Sequence, residues 1–190
     1  MINKWFDDQH YQSVSYSGEK LTQTEFNCCT FQNCDFSDAD LSETDLVNCR
    51  FENCNFSNAR LSGSGLKEVQ FTGCKLIGID FDSCSDFLFA VNFQKCFLDY
   101  ASFVTKKMKK TKFAECSLIE VDFSDADLSM VDFHNCNLLH AVFNRTNLEK
   151  ADFRTAINYS IDPETNRIRK AKFSFSGIAG LLTKYNIDIE

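Results

Sequence analysis

The stretch Cys34–Phe56, CDFSDADLSETDLVNCRFENCNF, has a Phe or Leu at every fifth position, and a Cys, Ala or Thr stands two residues before each one. Residues two apart in an extended chain point to the same side. Each unit of five therefore contributes one large and one small side chain to an interior. The other three residues are mostly Asp, Asn, Ser and Glu, which suit bends and solvent.

The same spacing continues in two registers, one from Tyr16 to Phe81 and one from Phe93 to Phe153, with a two-residue slip at about 82–92. Within each register, cysteines recur every twenty residues, which is four units of five. This pattern predicts an all-β fold, a four-sided parallel β-solenoid whose coils bury their cores by stacking. The twenty-seven units in these registers give about seven coils and a rod about 34 Å long. The repeating cysteines are Cys34, Cys54 and Cys74, then Cys96, Cys116 and Cys136.

Composition restricts the classes of function. The chain has 190 residues and a net charge of −7, and an acidic surface argues against direct contact with nucleic acid. No apolar run is long enough to span a membrane. The first residues, MINKWFDDQHY, lack the apolar segment of a secretory signal. We therefore expect a cytoplasmic protein whose ten cysteines stay reduced.

Four units match a known consensus closely: ADLSE, ARLSG, ADLSM and ADFRT, which begin at Ala39, Ala59, Ala126 and Ala151. They resemble the consensus A(D/N)LXX of the pentapeptide repeat family. The resemblance covers about 14–156 and implies a right-handed quadrilateral parallel β-helix.

The ending INYSIDPETNRIRKAKFSFSGIAGLLTKYNIDIE, residues 157–190, narrows the resemblance. It is similar to the ending of the quinolone-resistance (Qnr-type) proteins and of the related microcin-immunity protein. This implies a non-enzymatic homodimer that mimics a DNA duplex, binds DNA gyrase or topoisomerase IV, and protects the enzyme from quinolone or peptide poisons. The alternative is a generic pentapeptide repeat scaffold with an unidentified protein partner.

The tail also has a pattern of its own. Phe175, Ile178, Leu182 and Tyr185 are spaced three, four and three apart, which predicts a short C-terminal α-helix. We expect an N-terminal cap segment at 1–13, a β-helix at 14–160 and a capping or dimerisation segment at 161–190. The tail either caps its own solenoid or pairs two chains. The dimer candidates are Phe173, Phe175, Ile178, Leu181, Leu182, Tyr185 and Ile187.

In each unit of five we call the large residue, usually Phe or Leu, the centre. Aspartates that directly precede a centre are candidates for an acidic partner-binding surface. Capping of the backbone at bends is the competing explanation. DNA carries about 20 charges over about 34 Å, against −7 for this chain, so shape must contribute to any mimicry. The candidates are Asp35, Asp40, Asp45, Asp80, Asp122, Asp127 and Asp132.

The segment VTKKMKKTKF, Val104–Phe113, breaks the pattern with a basic patch. Lys106 falls on an inward position, where an unpaired charge is costly, so we expect a local bulge or loop. The patch either binds an acidic partner or is a solvated face. It consists of Lys106, Lys107, Lys109, Lys110 and Lys112.

No residues are candidates for catalysis or for metal or cofactor binding. The three histidines, His10, His134 and His140, show no triad spacing, and there is no glycine-rich phosphate loop. The cysteines form no CxxC pair, so we interpret them as small buried apolar residues. We expect no enzymatic activity.

Overall fold

Along most of this chain, residues that face each other in neighbouring strands are twenty positions apart in the sequence. Phe31 is opposite Phe51, which is opposite Phe71. The computed structural model, which describes residues 4–188, is an all-β parallel β-solenoid of about seven turns. Four units of five therefore complete one turn, as the cysteine spacing predicts.

Two parallel sheets form on adjacent sides of the solenoid. The described strands are β1 (Lys4–Asp7), β2 (His10–Gln12), β3 (Thr24–Asn27), β4 (Thr30–Gln32), β5 (Asp45–Val47), β6 (Arg50–Glu52), β7 (Gly65–Lys67), β8 (Val69–Thr72), β9 (Val91–Gln94), β10 (Lys112–Ala114) and β11 (Asp132–His134). Side 1 carries the sheet β1-β3-β5-β7, and side 2 carries the sheet β11-β10-β9-β8-β6-β4-β2.

The other two sides, and the later turns of side 1, are held by isolated parallel bridges. Side 3 includes the bridge Asp35 to Asn55, and side 4 includes the bridge Asp40 to Arg60. Side 1 continues through successive bridges that join Lys107, Asp127, Asn147 and Arg167. A residue's place in the repeat therefore fixes the side on which it lies.

The corners explain why polar residues fill the outer positions. Asn33, Asp38 and Asn48 each lie two residues after a centre and have φ between 53° and 57°. Asn and Asp tolerate this left-handed conformation better than most residues. Asp35 also accepts a hydrogen bond from the backbone N–H of Ser37 at 3.0 Å, so its carboxylate stabilises the bend.

The core consists of columns of stacked rings. The centroids of Phe31 and Phe51 are 4.8 Å apart with an interplanar angle of 6°. Neighbouring columns meet edge to face, as between Phe51 and Phe56 at 5.1 Å and 79°. Both arrangements are favoured by the ring quadrupole. The side 2 column contains Tyr11, Phe31, Phe51, Phe71, Phe93, Phe113, Phe133, Phe153 and Phe173.

The small inward residues satisfy backbone carbonyl groups. The Cys49 thiol donates to the carbonyl oxygen of Phe26 at 3.3 Å, and the Thr44 hydroxyl donates to that of Leu21 at 2.8 Å. Buried carbonyl groups need such partners. All ten thiols are free, and only Cys28 is exposed. Burial raises the pKa of Cys49 to about 12, so this thiol stays protonated and able to donate.

The slip lies inside the predicted interval. Ser64 contacts Cys84 twenty residues later, whereas Val69 pairs with Val91 twenty-two residues later. Two extra residues are therefore inserted between Cys84 and Val91. We call Ser85–Ala90 the side 1 loop.

The solenoid begins earlier than the predicted boundary. Strands β1 and β2 pair with β3 and β4 in the twenty-residue register. The boundary placed at residue 14 therefore falls within the first turn. Trp5 is 60% exposed, while Phe6 packs on the core with its ring stacked on Phe26. Residues 1–3 of the expected cap segment lie outside the described residues.

The C-terminal α-helix is not confirmed. The tail instead forms two 3-10 helices, Ile178–Leu181 and Thr183–Tyr185. Close packing on the last turn gives the physical reason. A Cβ added to Gly180 would lie 2.3 Å from the carbonyl oxygen of Tyr159, and Ile161 donates its N–H to the carbonyl oxygen of Gly180 at 2.9 Å.

Residues 189–190 of the predicted segment lie outside the described part. No helix within residues 4–188 is long and apolar enough to cross a bilayer.

Candidate partner-binding surfaces

The side 1 loop presents two apolar side chains to solvent. Phe87 is 68% exposed and Leu88 is 65% exposed. Leu88 has φ of 57°, a conformation that costs free energy for a bulky residue. Phe89 points the other way and packs against the core. The loop therefore has an exposed apolar tip and a half-buried foot.

Lys106 holds the loop from inside the solenoid. Its ammonium group donates to the carbonyl oxygen of Cys84 and to Asp86 Oδ1, both at 2.6 Å. The same Nζ atom lies 5.3 Å from the centre of the Phe89 ring, close enough for a cation–π contact. The bulge or loop predicted at Lys106 was wrong, because the backbone there keeps its regular hydrogen bonds to the next turn. The coil stays regular there because the loop, one turn earlier, supplies the partners of the buried charge.

A second lysine fixes the loop tip. Lys67 Nζ lies 5.6 Å from the centre of the Phe87 ring and 3.0 Å from Asp45 Oδ1. Asp45, a candidate for the acidic surface, is thus paired with the lysine that contacts the tip. The exposed apolar pair is held by contacts on both neighbouring turns.

The seven acidic candidates do not lie on one surface. Asp45 and Asp127 lie on side 1, Asp132 on side 2 and Asp35 on side 3, as the bridges and strand pairs show. Side 4 has the remaining three, Asp40, Asp80 and Asp122.

Most of these carboxylates take part in bends and ladders between turns. Asp40 accepts hydrogen bonds from Ser42 and forms an ion pair with Arg60 at 3.0 Å. The hydrogen bonds from Ser42, followed by Arg60, hold the pKa of Asp40 below its ordinary value. Asp127 likewise accepts from the backbone of Ser129 and the amide of Asn147. Bend stabilisation therefore accounts for much of the acidic pattern.

Side 4 is the most acidic side, and part of its charge is neutralised. Besides its three candidate aspartates, this side carries three more carboxylates at outer positions, those of Glu43, Asp82 and Asp125. Arg145 forms an ion pair with Asp125 at 2.7 Å. A hydrogen bond with Asp82, with burial, raises the pKa of Asp80, as expected for two neighbouring carboxylates.

The structure divides the predicted basic patch among three environments. Lys106 is buried, and Lys107, Lys109 and Lys110 are exposed on side 1. Lys112 begins β10 on side 2. The patch as predicted is therefore not one surface.

The predicted dimer residues differ in how far they are exposed. Phe173 and Leu181 pack on the core, with Phe173 stacked on Phe153 at 5.3 Å. Leu182 is half-buried. The four others are exposed and form the apolar surface of the tail: Phe175, Ile178, Tyr185 and Ile187.

The three histidines lie apart from any catalytic arrangement. His10 is in β2, His134 is in β11, and His140 occupies a corner with φ of 57°. Among residues 4–188, no group of three or more metal-binding side chains is placed to hold an ion.

Sequence reasoning missed one surface. Apolar side chains replace polar ones at the outer positions of side 3 from the fourth turn onward. The signal was present, because outer positions are otherwise mostly polar. These exposed residues are Ile77, Phe97, Tyr100, Leu139 and Ile157.

Known structures share this architecture. Full-length QnrB1, a plasmid-mediated fluoroquinolone resistance protein, aligns with a TM-score of 0.62 at 18% identity, over 96% of this chain and all of that chain. A trypsin-treated QnrB1 variant aligns with a TM-score of 0.56 at 22% identity, over 98% of each chain. These identities show a shared fold alone. A search of curated protein sequences found no match.

The family model described as a pentapeptide repeat region matches residues 4–81, 24–103 and 80–153. Together these matches extend from Lys4 to Phe153. The chain belongs to the pentapeptide repeat family.

Proposed function

We propose that this protein binds DNA gyrase, without any chemistry of its own, and protects it from quinolone or peptide poisons. The anchored apolar tip of the side 1 loop carries the proposal. It projects from a solenoid that aligns with QnrB1, a fluoroquinolone resistance protein, over 96% of this chain. Phe87 and Leu88 are the contact residues in this proposal.

The loop is suited to binding because it is already ordered. Large apolar residues in a small central area supply most of the energy of many interfaces. Ordering a flexible loop would subtract from that energy. Lys106 and Lys67 hold the foot and the tip through the contacts at Asp86 and Phe87. Two exposed apolar side chains are thus offered in a fixed position.

Charge has a secondary role in this proposal. The net charge of −7 is well below the roughly 20 charges that duplex DNA would carry over the same length. Arg60 and Arg145 further neutralise side 4. Mimicry of DNA therefore rests on the shape of the rod, and the acidic sides steer association with a basic channel.

We further propose that the protein acts as a homodimer in the cytoplasm, on gyrase and on topoisomerase IV. The apolar surface of the tail supports the dimer, since Phe175 is 95% exposed and Ile178 is 48% exposed. Pairing two tails would bury these side chains and lengthen the rod.

Supercoiling and DNA-cleavage assays with purified gyrase test the proposal. The wild type should reduce cleavage complexes formed with a quinolone or with a peptide poison. The double variant Phe87→Ser, Leu88→Ser should lose this protection. Phe97→Ser, which removes an exposed Phe from side 3, is the matched control and should keep it. Failure of the wild type to inhibit or protect gyrase would exclude the proposal.

The apolar surface of side 3 favours a second function, that of a scaffold for another protein partner. Exposed apolar patches on single chains often mark such contacts. Phe97 and Tyr100 are 50% and 59% exposed. If gyrase is unaffected and Phe97→Ser abolishes capture of another protein, the scaffold function is the better description.

A further inference from the structure

Seven exposed cations lie on side 1 in the second half of the solenoid. The bridges from Lys107 through Asp127 and Asn147 to Arg167 fix their positions on one side. None of them has a carboxylate within 4.0 Å in the part of the chain from 4 to 188. They are Lys107, Lys109, Lys110, Lys150, Arg167, Arg169 and Lys170.

Cations elsewhere are more often paired. Across residues 4–188, seven basic side chains form ion pairs, and none of these seven belongs to the set on side 1. The paired residues are Arg60, Lys67, Lys106, Arg145, Arg154, Lys172 and Lys184. The unpaired set is therefore a concentration of free positive charge on a protein of net charge −7.

The set is arranged as two rows with a less basic interval. Lys107, Lys109 and Lys110 form the first row, and Arg167, Arg169 and Lys170 form the second. Each row occupies a single turn. Three turn spacings separate them, a distance of about 14 Å at about 4.8 Å per turn.

The interval carries mixed charge. Asp127 and Glu149 lie between the rows, and Lys150 is the one cation there. Asp127 is engaged by Asn147 and Ser129. With these two carboxylates included, the surface has a net charge of +5.

We propose that this surface binds duplex DNA, with each row on one phosphate backbone of the same duplex. Two parallel lines of negative charge separated by a groove match two rows of cations separated by an interval. The backbones of B-DNA are about 6 Å apart across the minor groove and about 12 Å apart across the major groove. Flexible Lys and Arg side chains can bridge the difference between these groove widths and the row separation of about 14 Å.

Duplex DNA fits this surface better than an acidic protein does. A flat acidic surface would meet its strongest attraction at the centre of the basic area. Here the interval carries Asp127, Glu149 and Lys150, a net charge of −1, which disfavours an acidic surface that is continuous across it and favours a partner with no negative group at that place. The net charge argues against nucleic acid for the chain as a whole, but it averages over sides of opposite sign. The inference does not depend on binding to gyrase.

Fluorescence anisotropy with a labelled duplex of about 20 base pairs tests this, in salt from about 50 mM to about 200 mM. The row variants are K107Q/K109Q/K110Q and R167Q/R169Q/K170Q. The control K20Q/K75Q/K95Q removes three exposed cations from other sides. Unchanged urea midpoints would show that all three variants fold.

The wild type should bind with a slope of log K against log salt of about −5, for six phosphate contacts. Each row variant should weaken binding at least tenfold at about 50 mM salt and reduce the slope to about −3. The control should bind like the wild type. No binding by the wild type, or an equal loss in the control, would overturn the proposal. Row-dependent binding of poly-glutamate without binding of the duplex would also overturn it and indicate an acidic protein partner.

Discussion

Lys106 Nζ lies 2.6 Å from Asp86 Oδ1, and the two side chains differ sharply in exposure, at 2% and 68%. The cost of breaking this ion pair therefore depends on which partner is removed. Loss of Asp86 leaves an ammonium group inside the solenoid with the carbonyl of Cys84 and the Phe89 ring as its partners, and without a counter-charge. Loss of Lys106 leaves a carboxylate that water already solvates.

We predict that Asp86→Asn lowers the free energy of unfolding by about 3 kcal/mol, because a buried charge loses its counter-charge. Lys106→Met should cost about 1 kcal/mol or less, since an apolar side chain of similar volume replaces the buried charge. Urea unfolding of both variants checks this. Equal destabilisation by the two changes would contradict the asymmetry.

Nine of the ten cysteines are buried, so a reagent cannot reach them and they should resist modification in the folded state. Burial raises the pKa of Cys49 to about 12 and, as the main cause, that of Cys84 to about 11. Only thiolates react readily. We therefore predict that a disulfide reagent at about pH 8 titrates one thiol, Cys28, in the native protein. All ten should react in denaturant. Rapid reaction of several native thiols would indicate that the turns open readily.

The repeat made the interior predictable. In each unit of five, the Phe or Leu and the small residue two positions before it are the two side chains that point inward. The cysteine interval of twenty then gives the number of sides. The slip was also visible, because the spacing changes between Phe81 and Phe93. Local periodicity does not tell what inserted residues do. The contacts of Lys106 with Asp86, and the projection of Phe87, depend on which turn lies next to which.

The candidate sites were harder to predict for a related reason. The role of a charge was predicted from its neighbours in sequence, whereas several ion pairs join residues that are twenty positions apart. Asp40 with Arg60 and Asp125 with Arg145 are such pairs. The helical spacing in the tail was misleading because Gly180 packs directly on Tyr159. That contact determines the backbone conformation of the tail more than the spacing of its apolar residues does.

Asp152 should make stability depend on pH in acid. Hydrogen bonds from the Arg154 side chain, with a contribution from Lys172, lower the pKa of Asp152 to about 2. The unfolded value is about 3.9. The depressed pKa means that this stabilisation is present above about pH 4 and is lost as the pH falls through about 2.

Asp152→Asn should therefore lower stability at pH 7 by about 1 kcal/mol at most, as for a surface pair. The difference from the wild type should disappear near pH 2. Urea midpoints measured from pH 7 to pH 2 follow this. Glu115→Gln, two turns earlier on side 2, is the control, because the exposed Glu115 side chain forms no ion pair within residues 4–188. A pH-independent loss in Asp152→Asn would exclude the ionic explanation.

The exposed tail residues give the sharpest test of the dimer. Phe175→Asp with Ile178→Asp places two charges on side chains that are 95% and 48% exposed, so the fold of a single chain should be unaffected. Sedimentation should show a dimer for the wild type and a single chain for the double variant. Phe97→Asp adds a charge on side 3 and should leave the dimer intact.

A cap variant tests how the tail packs on the last turn, and sedimentation of the wild type tests whether the tail also pairs two chains. Gly180→Val should clash with the carbonyl and ring of Tyr159 and lower the free energy of unfolding by about 2 kcal/mol through overpacking. If the tail only caps its own solenoid, Gly180→Val is destabilised and the wild type already sediments as one chain. That result would remove the proposed dimer while leaving the solenoid and its loop as described.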